Sequence, residues 1–230
     1  MKDKRADLLS RAALAVNNSL SEPGIRDVVA AYGYTADKLR EGSALVEAAQ
    51  AASDAQLAAD GGQQRATAAL NEAAQATRAA YQALAKVARA ACDKPSLTTL
   101  GLSGSAPQNN DGLMKAASSL FNNAPRIPAL AGFGYDAEKL AAGRAAVAAM
   151  QTAAQQQDAA KGAAQKATLE QKAAFKALEA WLALYIKVAK VALVDDAQQL
   201  EKLGVVARTS PTAAQRAAAS ARKQQTPTTT

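Results

Sequence analysis

Tyrosine follows glycine twice in this chain, at Gly33-Tyr34 and Gly134-Tyr135, and each pair leads into a lysine-leucine step, Lys38-Leu39 or Lys139-Leu140. A tyrosine hydroxyl held at a backbone turn is a hydrogen-bond donor that a ligand could use. Asp195 and Asp196 with Glu201 offer carboxylate oxygens of the kind a hard cation takes. Lys187 and Lys190 stand three apart and could touch an anion, and Cys92 is the one thiol. Near the C-terminus Arg208, Arg216, Arg222 and Lys223 could neutralise nucleic-acid or other surface phosphates, a binding mode that weakens steeply with salt.

Each candidate has a plainer reading. The two glycines permit a tight turn into a helix, with the aromatic ring packed over its first turn. Positions that recur in a repeated unit serve the repeated fold first. Neither glycine sits in a GxGxxG or GxxxxGK[ST] pattern, so phosphate binding of that type has no support. The acidic group lacks EF-hand spacing and reads as a solvated helix end. Lys86 and Arg89 repeat the spacing of Lys187 and Lys190, as an ordinary solvated face does. Trp181 and Tyr185, four apart, fall on one helical face in the core periodicity. Cys92 aligns with Leu193 and reads as a small buried apolar residue. The basic stretch has four charges and no aromatic side chain to stack on bases, which puts a solubilising tail ahead of a nucleic-acid contact.

Composition narrows the chemistry further. The 230 residues include no histidine and one cysteine. The sequence therefore has no Ser-His-Asp or Cys-His arrangement, no His-ligated zinc and no intramolecular disulfide. The expectation is a protein that is not an enzyme and binds no cofactor or metal. Alanine supplies 63 residues, and the net charge is a moderate +7, of which residues 207–230 carry +4. Alanine is the strongest helix former, so a helical protein with thin, closely packed cores fits this composition better than a disordered chain. There is no signal-peptide apolar core and no run of 18 apolar residues, which points to a cytoplasmic protein.

The elements that position these residues follow from an internal repeat. Tyr32-Gly33-Tyr34-Thr35-Ala36-Asp37-Lys38-Leu39 returns as Phe133-Gly134-Tyr135-Asp136-Ala137-Glu138-Lys139-Leu140, an offset of 101. The same offset pairs Gly42 with Gly143, Val46 with Val147, Gly61 with Gly162 and Lys86-Val87-Ala88 with Lys187-Val188-Ala189. After a small slip, Leu100-Gly101-Leu102 meets Leu203-Gly204-Val205. Self-similarity at a fixed period marks a repeated structural unit. The expected organisation is a first repeat at 1–108, a second at 109–207, both packed as one bundle, and a basic alanine-rich tail at 208–230.

Within each repeat, Thr35 or Asp136 caps a helix with an acid in its first turn. No proline follows until Pro95 in one copy and Pro211 in the other. Leu140, Gly143, Val147 and Met150 mark one three-four seam; Leu178, Trp181, Tyr185 and Val188 mark another. Small residues in such a seam let helices approach closely. A turn at Asp60-Gly61-Gly62 and at Lys161-Gly162 would give four helices of roughly 25–30 residues, each ~40 Å long. The alternative is two unbroken helices, 36–92 and 137–193, of ~85 Å each in a coiled-coil pair. The turn is favoured, because two adjacent glycines cost a helix interior about 2 kcal/mol. Short helices are expected at 4–17, 25–31 and 111–122. Residues 93–110 read as a linker, and one last helix follows Ser210-Pro211.

The Gly-Tyr-[Thr/Asp]-Ala-[Asp/Glu]-Lys-Leu motif, the glycine three residues on, and the closing Lys-Val-Ala and Leu-Gly-[Leu/Val] resemble an uncharacterised bacterial family of two-repeat, all-helical proteins. The resemblance covers most of residues 25–207 and implies an architecture, with no activity, ligand or site residues to carry over. The fold expectation is all-α: a duplicated helical hairpin forming an elongated four-helix bundle with short accessory helices. The functional expectation is a non-enzymatic structural or scaffolding protein that associates through helices, with itself or with other proteins. The alternative is a protein that binds nucleic acid or an anionic surface through its basic tail.

Overall fold

The computed structural model describes residues 4–205, and within them the chain is all-α, with no strand. The basic tail expected at 208–230, with its terminal helix, lies outside the described residues. Two short helices, α1 (Lys4–Ser21) and α2 (Pro23–Ala30), precede the long α3 (Ala36–Ala91). Then come α4 (Lys94–Thr99), α5 (Asn110–Asn123) and two 3-10 turns, Ala124–Arg126 and Pro128–Phe133. The second long helix, α6 (Ala137–Ala192), and the short α7 (Ala197–Lys202) complete the order.

Both long helices are unbroken over 56 residues, so the turn expected at Gly61-Gly62 and Gly162 is not formed. The glycine conformation that ends a helix is a positive φ, and the described chain uses it at Gly33, Gly101, Gly134 and Gly204 but not at 61, 62 or 162. The energetic comparison explains why. Two helical glycines cost about 2 kcal/mol. A break would expose up to four N–H and four C=O groups, each hydrogen bond being worth about 0.5–1.5 kcal/mol net. The nearest capping candidate, Asp60, instead accepts from Gln56 one turn back along the same helix. A β-carbon added at Gly62 or Gly162 would meet nothing within 4 Å. Gly62→Ala and Gly162→Ala should therefore each raise stability by about 0.5–1 kcal/mol in urea unfolding. Destabilisation by either would mean that the backbone there is not helical.

Two further boundaries move for tertiary reasons. α1 runs past the expected end at 17, because Asn18 Nδ2 donates to the Lys202 carbonyl at 2.6 Å and Ser19 is buried against Tyr185. The expected linker 93–110 contains α4, started by Asp93, whose carboxylate accepts from Ser96 N at 3.1 Å. Asp196 starts α7 in the same way through Gln199 N, also at 3.1 Å.

The described chain forms two compact units. The first takes the residues up to Asp54 and those from Leu169 onward; the second takes Ala55–Thr168. The first unit thus combines α1, α2 and the start of α3 with the end of α6 and α7. Its core sets Ile25, Val29 and Leu39 against Leu178, Leu182 and Tyr185. Here the α3 and α6 segments run antiparallel: Gly42 faces Trp181, and Gln171 Nε2 donates to Ser53 Oγ at 3.4 Å.

The second unit combines the remainder of α3 with α4, α5, the 3-10 turns and the start of α6. Leu84, Tyr81 and Leu100 pack there with Leu120, Phe121 and Leu140. Its long-helix segments are likewise antiparallel. Gln157 Nε2 donates to Thr67 Oγ1 at 3.3 Å, and Thr77 Oγ1 donates to the Ala146 carbonyl at 3.0 Å. Burying one such leucine is worth about 1.5–3 kcal/mol, so a handful of these side chains holds each unit.

Candidate functional site

The residues of the Gly-Tyr motif come together at the joint between a short helix and a long one. In the first unit Gly33 has φ +87°, its N–H reaches the Ala30 carbonyl at 3.0 Å, and Tyr34 N–H reaches Val29 O at 3.1 Å. These two bonds close α2 as a Schellman motif. The second unit repeats the geometry: Gly134 has φ +78°, bonds Ala131 O at 3.0 Å, and is followed by Tyr135 N–H to Leu130 O at 3.1 Å. Asp136 then caps α6 through Lys139 N at 2.8 Å, whereas Thr35 reaches Lys38 N at only 3.5 Å. The Lys139 ammonium lies 4.4 Å from the Tyr135 ring centroid and that of Lys38 5.9 Å from Tyr34, while Leu39 and Leu140 are buried.

Tyr34 belongs to an aromatic cluster of the first unit that the sequence pattern did not assemble. Its ring centroid is 4.9 Å from Tyr185 and 6.0 Å from Trp181, and Trp181 stacks on Tyr185 at 5.3 Å. Ser19 Oγ donates to the Ala15 carbonyl at 2.6 Å, which leaves Tyr185 as the donor in its own bond to Ser19. The Tyr34 hydroxyl and Trp181 Nε1 are enclosed without a hydrogen-bond partner among the described residues. Gly42 makes room for the cluster, since a β-carbon there would sit 2.3 Å from the Trp181 ring. At the matching Gly143 a different residue, Phe121 of α5, takes that space at 2.1 Å.

Burial pushes the Tyr34, Tyr135 and Tyr185 phenols above their ordinary value of about 10; at Tyr185 the Ser19 bond opposes this and neighbouring Tyr34 adds to it. A raised folded-state pKa adds stability that is fully present below the unfolded value and is lost as pH rises beyond it. Stability should therefore fall above about pH 10. Tyr185→Phe should cost about 0.5–1.5 kcal/mol near neutrality and make that decline shallower. Tyr34→Phe removes an unpartnered hydroxyl and should be neutral or stabilising. Urea unfolding of both variants at pH 7 and pH 11 checks the signs.

The remaining candidates are dispersed. Lys187 and Lys190 are exposed on α6, Asp196 is engaged as a helix cap, and Asp195 is exposed. Cys92 is half-buried, packed against the core of the second unit. Among the described residues no group of three or more acidic or sulfur ligands could hold a metal ion. None of their helices is long and apolar enough to cross a membrane. Arg208, Arg216, Arg222 and Lys223 lie outside the described residues.

A surface feature escaped the sequence reading. On the part of α6 that belongs to the first unit, Leu169, Leu184 and Val191 are 67 %, 56 % and 60 % exposed. With exposed Ala173, Ala177 and Ala180 they form one apolar helix face. The available signal was a second three-four pattern, out of phase with Leu178, Leu182 and Tyr185. Compared with models of known families, with curated proteins and with solved structures, the chain gives no significant match.

Proposed function

We propose that this is a non-enzymatic structural or scaffolding protein that acts by helix–helix association, with a second copy or with another helical protein. The observation that carries the reading is the exposed aliphatic face of α6, bearing Leu169, Leu184 and Val191 on an unbroken helix. Large apolar side chains spaced along one helix face are what a partner helix packs against.

The supporting architecture is a tandem duplication in which each copy gives the start of its long helix to one unit and the end to the other. Matched geometry at Gly33 and Gly134, at Gly101 and Gly204, and at Asp93 and Asp196 supports it. On this reading Gly33, Tyr34, Lys38 and Leu39, with Gly134, Tyr135, Lys139 and Leu140, are joints of the fold within their respective units.

The test is amine cross-linking in the cells that make the protein, read by mass spectrometry. Cross-links from Lys172, Lys176, Lys187 or Lys190 to another polypeptide are expected, and Leu184→Glu with Val191→Glu should abolish them. Cross-links confined to pairs within one chain would overturn the reading. Light scattering over a concentration series separates the self-associating version, which a monodisperse monomer removes.

A further inference from the structure

We propose that the exposed face of α6 docks an acidic amphipathic helix from a different protein, an inference that rests on the helix-association reading above. Leu169, Ala173, Ala177, Ala180, Leu184 and Val191 follow one another in steps of three, four or seven, so they lie along one side of the helix. All six are exposed, whereas Leu178, Leu182 and Tyr185 of the same helix are buried on the opposite side.

Two observations go beyond exposure. The first is the contrast with the matched positions of α3. One repeat earlier, Leu169, Leu184 and Val191 correspond to Ala68, Ala83 and Ala90, which are exposed as well. Ala173 corresponds to Glu72, and Lys172 and Lys176 to Asn71 and Gln75. A face that only completed the helix would need no large aliphatic side chains at these positions, and α3 has alanine at all three, its one exposed leucine being Leu57. The second is charge. From 172 to 190 the helix carries Lys172, Lys176, Lys187 and Lys190 against one carboxylate, Glu179. All four lysines are exposed, and none is ion-paired among the described residues. Glu170, just before this stretch, is already engaged.

Flanking charge selects the partner of an apolar helix seam much as e and g residues do in a coiled coil. A second copy laid antiparallel on this face would bring this lysine edge against its own counterpart. A helix with glutamates beside a leucine seam would place opposite charges along the edge of the face that carries all four lysines, and exclude water from the aliphatic side chains.

The experiment uses the full chain and two synthetic helical peptides with the same leucine seam, one flanked by glutamate and the other by lysine. The glutamate peptide should bind, measured by fluorescence anisotropy, and the lysine peptide should not. Leu184→Glu with Val191→Glu should weaken binding by roughly 30-fold or more. Reversing the four lysines to glutamate should invert the preference between peptides. Ala83→Glu with Ala90→Glu, at the matched face of α3, should leave binding unchanged, which separates a local effect from unfolding.

Equal binding of both peptides, or of neither, overturns the proposal. So does binding of phosphatidylglycerol vesicles in place of the peptide through Leu184 and Val191. A dimer of the wild-type chain dissolved by Leu184→Glu with Val191→Glu would overturn the acidic partner while leaving the association reading intact. Cross-links that never leave the single chain would remove both.

Discussion

Fragments 1–104 and 105–230, produced separately, are expected to lack cooperative unfolding as monomers and to regain it when mixed. The cut falls in the irregular stretch after α4, so no long helix is severed. What each fragment loses is half of both cores. In fragment 1–104, Ile25, Val29 and Leu39 have no Phe175, Leu178, Leu182 or Tyr185 to pack on. At about 1.5–3 kcal/mol for each large side chain, that loss alone rivals the roughly 5–15 kcal/mol that holds an ordinary domain together. The alanine-rich helices would keep some ellipticity on their own, so helix content is the wrong readout. Trp181, the only tryptophan, reports the packing directly, because its neighbours Tyr34 and Gly42 lie in the other fragment. Its emission should be red-shifted in fragment 105–230 and return on mixing. A fragment that unfolds cooperatively as a monomer would show that one repeat is a self-sufficient hairpin unit.

That outcome bears on why the path of the long helices was hard to read. Periodicity ran through Gly61 and Gly162 without a change of phase, so the hydrophobic pattern fitted a turn and a continuous helix alike. The cost of glycine in a helix is read directly from the sequence, whereas the opposing cost of two new helix ends depends on capping partners that appear only in the fold. Glycine is also an ambiguous signal, because what distinguishes a terminating glycine is its φ, which the sequence does not display. The four that terminate, at 33, 101, 134 and 204, are each followed by a large apolar or aromatic residue whose N–H closes the Schellman bond, at Tyr34, Leu102, Tyr135 and Val205. Gly61, Gly62 and Gly162 are followed by Gly62, Gln63 and Ala163, which offer no such anchor. That local context is present in the sequence and excludes Gly61, Gly62 and Gly162, although Gly24-Ile25, Gly112-Leu113 and Gly132-Phe133 share it without a positive φ.

The motif residues were legible as a group because a joint is a local object, built from neighbours within about ten residues. The aromatic cluster was not, since Ser19, Tyr34, Trp181 and Tyr185 meet only after α1, α2, α3 and α6 have packed. The exposed face of α6 was hidden for another reason: in an alanine-rich helix almost every stripe looks apolar. Only burial on the opposite side shows which stripe is left over.

Phe121→Ala should cost about 3–5 kcal/mol, the range for losing a buried aromatic side chain. The ring is 2 % exposed and lies where the β-carbon of a residue at 143 would stand, 2.1 Å from Cε1. Gly143→Ala therefore drives a methyl into a ring that has nowhere to go, and overpacking of this kind costs about 1–3 kcal/mol. The two changes are not independent. With the ring removed, the methyl at 143 occupies part of the hole, so the double variant should be more stable than the sum of the single losses predicts, by about 0.5–3 kcal/mol. The matched position provides the control. Gly42→Ala also meets an aromatic ring, at 2.3 Å, but Trp181 is only partly buried and can move outward. It should cost less than Gly143→Ala. Urea unfolding of the four proteins of the cycle, with Gly42→Ala alongside, measures all of these terms. Strict additivity of Phe121→Ala and Gly143→Ala would mean that the ring does not occupy the groove at Gly143, and that this glycine admits the close approach of some other group.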